Sequence, residues 1–137
     1  MVIPIQSSIN LVFQIVIVCI LILGLLYRRN GKLLDHGWLM TLIVILNTVS
    51  LLAVMAPSFV VFSLSGFLGL NLNTGVNSIH MVIGLSAEFF GVYLVVNWRF
   101  STGIERCYVK SIYMRAAAYL YTLAFILGLI TYPLYFL

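Results

Sequence analysis

Three acids, two histidines and two cysteines are the residues of this chain whose side chains could serve as proton donors, bases or metal ligands. Glu88 stands apart from the rest because it lies inside an apolar run. An ionisable group in such a run is costly and is a functional candidate by default. His80, Gly84, Ala87, Glu88 and Gly91 follow one another at helical spacing and share one face. The small residues on that face admit a neighbouring backbone, so it is expected to point into a bundle or at another subunit.

The other candidates gather at two levels. Asp35, His36, Glu105 and Cys107 are all metal-binding types, but their spacing matches no closed site. Ion pairing of the two acids with Arg28, Arg29, Arg106 or Lys110 explains them without a metal. His80 is placed to meet Asn10 and Gln14, which are four apart on one helix face, together with Thr131 and Tyr132. That outer polar cluster reads first as a hydrogen-bonded group and second as part of a ligand site. His36, His80 and Cys107 are therefore the metal candidates, and the cofactor-binding residues are left unassigned. No cofactor is predicted; haem or copper bound through His36 or His80 is the alternative. The chain has no phosphate-binding glycine loop, no paired-cysteine motif and no nucleophile–base pair close in sequence, so it is not expected to be catalytic alone.

The elements that must position these residues follow from composition. The chain has 137 residues, 64% of them hydrophobic and 7% charged. A soluble domain carries about 25% charged residues, and this one could not cover a water-facing surface. Apolar runs at about 9–27, 37–56, 76–98 and 113–136 each reach the ~20 residues that a membrane-spanning helix needs. The first run lacks the basic flank and small-residue cleavage site of a signal peptide, so it is expected to be retained. Pro57 closes the second, and Pro133 is expected to kink or fray the last turn of the fourth. The expected fold is all-α, a four-helix membrane bundle with up-down-up-down order and one domain spanning 1–137.

Charge gives the direction. All seven Lys and Arg lie beside the connection between the first two helices or beside that between the last two. Basic loops stay in the cytoplasm, which puts both termini outside in an integral cell membrane. Trp38 and Trp98 then anchor the inner interface, with Tyr132 and Tyr135 near the outer one. The net charge of +4 is a topology signal on this reading, and no nucleic-acid partner is expected. The apolar, glycine-interrupted segment 58–70 is expected in the outer interface or against a partner. Cys19 and Cys107 are expected to be free thiols.

Depth pairs Glu88 with a neighbour. At 1.5 Å per residue, Asn47 lies about 15 Å from the inner end of its helix and Glu88 about 16 Å from the outer end of its own. In a hydrocarbon core about 30 Å thick, both reach the midplane. Asn47 or Ser50 is expected to hydrogen-bond Glu88, and a carboxyl group at that depth favours its neutral form. His36 and His80 begin their helices at opposite faces, too far apart to hold one iron together.

Three stretches carry a resemblance: Asp35-His36-Gly37-Trp38-Leu39-Met40, Ile79-His80-Met81-Val82-Ile83-Gly84, and the run from Cys107 through Lys110 and Arg115 to Gly128-Leu129-Ile130-Thr131-Tyr132. With them the chain resembles a family of small four-helix membrane proteins, some linked to maturation of cytochrome c oxidase. Cys107 stands where that family's pattern has a histidine. With few internal polar groups, small-residue faces for packing and an apolar outer loop, the chain is expected to be a non-catalytic accessory or assembly subunit of a larger membrane metalloenzyme, such as a terminal oxidase or a copper-dependent membrane monooxygenase. Its partners would be other integral membrane subunits and the lipid bilayer. The alternative is a small membrane redox protein.

Overall fold

The computed structural model describes residues 2–57, 60, 72–98 and 110–136. The described residues form helices α1 (Val2–Arg29), α2 (Leu33–Ser50), α3 (Leu72–Trp98) and α4 (Ser111–Phe136), with a π-helical turn, Leu51–Met55, continuing α2. Four of these stretches are long and apolar enough to cross a membrane: Ser7–Arg29, Leu33–Met55, Gly75–Trp98 and Ser111–Pro133. Helices are the natural outcome for such runs, since in lipid every backbone N–H and C=O must find its partner within the chain. Segment 58–70, apart from Val60, lies outside the described residues, as do Arg99, Glu105, Arg106 and Cys107.

Each helix starts a few residues before its apolar run. The runs at 9, 37, 76 and 113 mark where hydrocarbon begins, whereas backbone hydrogen bonding continues into the polar turns before them. Pro4 is tolerated in the first turn of α1, where its missing N–H would have had no partner. Asp35 falls in the first turn of α2, where a negative charge suits the helix dipole. Pro133 does not break α4, which runs on to Phe136.

The turn from α1 to α2 has a specific geometry. Gly31 takes a left-handed φ of 77°, a conformation that glycine adopts without a Cβ clash. The Lys32 N–H then donates to the Tyr27 carbonyl at 3.0 Å and the Gly31 N–H to that of Arg28 at 3.1 Å, the paired bonds of a Schellman cap. Lys32 Nζ sits 5.5 Å from the centre of the Tyr27 ring.

Consecutive helices pack together, most extensively α3 on α4 and α1 on α2, and α1 also packs on α4. The inward positions recur at spacings of three and four: Ile17, Leu21 and Gly24; His36, Ile43, Asn47 and Ser50; Ala87, Glu88 and Gly91; Ala117, Tyr121 and Ala124. These positions are the seams along which the helices meet. The centre is Ile17, Leu21, Ile43, Ala87 and Tyr121, with Ile20, Met40, Leu46 and Leu120 packed around it. Gly24 and Gly91 mark close approaches. A Cβ at Gly24 would overlap the Met40 methyl, and one at Gly91 would fall 2.5 Å from the Tyr121 hydroxyl and 2.9 Å from Val44. Gly84 meets nothing within 4 Å, whereas Gly91 and the fully buried Ala87 on the same face serve helix contact.

Candidate functional site

Glu88 lies 8% exposed in the bundle interior and is the acceptor for three side chains from two other helices. Asn47 Nδ2 donates to Glu88 Oε2 at 2.6 Å. The Tyr121 hydroxyl donates to the same oxygen at 3.1 Å. The Thr48 hydroxyl lies against Oε1, and it also lies 2.8 Å from the Val44 carbonyl one turn back. This set joins α2, α3 and α4 at one level. A threonine hydroxyl has one proton, so two arrangements close the set. Either Thr48 shares its proton between the two oxygens, or Glu88 is itself protonated on Oε1 and donates to Thr48, which then donates to Val44.

Thr48 and Tyr121 do not follow from the face shared by Asn47 and Ser50. The depth rule, however, extends to Tyr121. It lies ten residues into α4, about 15 Å deep at 1.5 Å per residue, level with Glu88. Ser50, expected as an alternative partner of Glu88, faces α1 instead. Its hydroxyl donates to Asn10 Oδ1 at 2.5 Å. The reason is rotation: three residues beyond Asn47 on a helix is a turn of about 300°, enough to shift the side chain from the α3 contact to the α1 contact.

The expected outer cluster is divided rather than joined. Asn10 pairs with Ser50. Tyr132 pairs with Ser8 at 2.9 Å, tying α4 to α1. The Thr131 hydroxyl donates back to the Gly128 carbonyl of its own helix at 3.0 Å. Gln14 and His80 do come together, on a cavity of about 10 Å³ that Asn47, Gly84, Ala87, Tyr121 and Ala124 also line. Gln14 Nε2 and His80 Nδ1 are buried there with no hydrogen-bond partner among the described residues. The space is about what one buried water requires, and a water with several polar partners is stable inside a protein.

On the other side of Tyr121 lies a larger chamber of about 80 Å³, walled by all four helices. Its lining is almost wholly alkyl, including Leu21, Leu25, Met40, Ile43, Leu94 and Val95. Among the described residues its polar contributors are Arg28, His36 and Trp98 toward the basic end and Tyr121 at the deep end. His36 is held by a bond of 2.7 Å from Nδ1 to the Gly24 carbonyl. With Nδ1–H so engaged, Nε2 is the nitrogen left to accept a proton or bind a metal. The Trp98 ring packs over Gly37, where any Cβ would collide with it.

His36 and His80 thus line different cavities, with Tyr121 lining both. Among the described residues no three His, Cys, Asp or Glu side chains come together. Asp35 is exposed and makes no ion pair among the described residues, which corrects the expected pairing with Arg28, Arg29 or Lys110. Lys110 instead sits 5.2 Å from the centre of the Tyr93 ring. No known protein family, curated protein or solved structure matches this chain.

Proposed function

We propose that this chain is a non-catalytic accessory or assembly subunit of a larger membrane metalloenzyme complex, a terminal oxidase being the first candidate and a copper-dependent membrane monooxygenase the second. In that role its helices alternate up and down, with both termini outside and the basic loops in the cytoplasm, where the positive charges favour them. Other integral membrane subunits are its partners.

Tyr119 carries the reading. It is 75% exposed on α4, eight residues and therefore about 12 Å into the span. Its hydroxyl has no hydrogen-bond partner among the described residues. A buried phenol normally finds a polar partner, and lipid tails offer none. A neighbouring subunit does. Phe89 of α3, 71% exposed, adds an aromatic contact of the kind enriched at subunit interfaces. The polar groups inside the bundle have a different role, since Glu88, Asn47, Thr48 and Tyr121 bind one another.

The test is purification of the tagged protein at native abundance in mild detergent, followed by native gels and mass spectrometry. The reading predicts migration within a complex that contains metalloenzyme subunits, and release from it on Tyr119→Ala. Migration of the wild-type chain alone contradicts it.

A second reading, a small membrane redox protein binding haem or copper, rests on the fixed His36 ring, held by Nδ1 on the Gly24 carbonyl, with no partner for Nε2 among the described residues. The chamber beside it, about 80 Å³, is smaller than the ~150 Å³ cavity that accepts a benzene, so a haem macrocycle does not fit it as it stands. A copper ion on His36 would need ligands from another chain. Metal analysis and an absorption spectrum of the purified protein decide this reading.

A further inference from the structure

The small cavity beside the Glu88 set takes one polar side chain from each helix: Gln14 from α1, Asn47 from α2, His80 from α3 and Tyr121 from α4. The rest of its wall is apolar, with Leu51 and Met55 from the π-helical turn and the small residues Gly84, Ala87 and Ala124. Asn47 and Tyr121 donate to Glu88. Gln14 Nε2 and His80 Nδ1 are buried without a partner. A buried polar group left without a hydrogen bond is costly, and here two line one space. Hydrocarbon outside the bundle offers neither of them a partner. Gln14 lies seven residues into its span and His80 five into its own, about 10 Å and 8 Å at the helical rise.

The chemistry of these two atoms defines the ligand. An amide nitrogen only donates, whereas an imidazole nitrogen accepts in one neutral tautomer and donates in the other. The ligand must therefore accept from Gln14, bond His80 in either sense, and fit about 10 Å³. Water meets all three conditions, and an organic molecule is too large.

The two side chains also come from helices that stand on a diagonal. α1 packs on α2 and α4, and α3 packs on the same two. We propose that this cavity is the binding site of a single water molecule, which accepts from Gln14 Nε2 and bonds His80 Nδ1, and so links α1 to α3 across the bundle. The bonds around Glu88 join α2, α3 and α4; the water brings in the fourth helix. The site is independent of the accessory-subunit reading, because a lone protein would hold the same water.

Unfolding in mixed micelles tests this through the sign of one substitution. With the water in place, Gln14→Met removes one of its partners and lowers the folded-to-unfolded ratio about fivefold, the worth of one hydrogen bond. If the amide were an orphan, the same change would remove an unsatisfied donor and raise the ratio. In a His80→Phe background the water has lost its other partner, and the loss on Gln14→Met disappears. An unchanged or raised ratio for Gln14→Met alone overturns the proposal. So does a loss that persists in the His80→Phe background. The wild type supplies a second readout that needs no variant to fold. Proton-detected solid-state NMR in deuterated lipid, with polarisation transferred from water, is predicted to show a cross-peak to the Gln14 side-chain amide. Its absence overturns the proposal as well.

Discussion

Two levels of the same bundle are built on opposite principles. Around Glu88, three helices are joined by directional bonds between polar side chains. From Tyr121 toward the basic loops, all four helices enclose a largely alkyl chamber with the fixed His36 imidazole at its side. In lipid there is little hydrophobic force between helices, and hydrogen bonds and close packing hold them. The polar level therefore fixes how the helices pair. The chamber level contributes less to stability and is free to accept something else. Tyr121 belongs to both, with its hydroxyl on Glu88 and its ring on the chamber.

Breaking the polar level should have the largest effect. Glu88→Ala removes the acceptor for three donors and leaves Asn47, Thr48 and Tyr121 to find others. Interhelical hydrogen bonds in membranes are worth about 0.6 kcal/mol each, and a cavity and unsatisfied donors add to this. The expected loss is about 2–4 kcal/mol, read from unfolding in mixed micelles. Asn47→Ala, which removes one of the three donors, should cost about 1 kcal/mol by the same measurement. Tyr121→Phe separates the two levels, because it loses the bond to Glu88 but keeps the ring that bounds the chamber. Its cost should be near the 0.6 kcal/mol of a single bond. Filling the chamber by Ala118→Leu should have the smallest effect on stability, within about 1 kcal/mol, because the space is already there.

The proton on Glu88 sharpens the comparison without a substitution at the chamber. If Glu88 donates to Thr48, infrared spectra of the wild type contain a carboxylic C=O stretch that is missing from Glu88→Gln and shifted in Thr48→Val. If Thr48 shares its own proton, the wild-type spectrum contains a carboxylate band from Glu88 instead.

Much of this was legible before any coordinates. Long apolar runs demand helices, so the four spans follow from composition. Helical rise alone put Asn47 and Glu88 at one depth, and the structure has them 2.6 Å apart. Depth does not fix rotation, which is why Ser50 turned to Asn10 on α1 rather than to Glu88. An aromatic residue in an apolar run reads as core or lipid-facing, so Tyr121 has no polar signature of its own, although helical rise along α4 puts it level with Glu88. The outer residues share a level but face different neighbours, so Ser8, absent from the expected cluster, took Tyr132. The chamber has no signature in the sequence at all. Its lining residues come from all four helices, and only packing reveals that they face one space.

The central claim is that the buried polar groups hold the bundle together and do no chemistry of their own. Glu88→Gln tests it most directly, because glutamine keeps the shape and one acceptor oxygen while removing the titratable proton. The account predicts stability within about 1 kcal/mol of wild type, retention of the partner subunits, and unchanged turnover of the purified complex. A Glu88→Gln protein that stays folded and assembled while the complex loses activity would contradict it, and would make Glu88 part of a proton path.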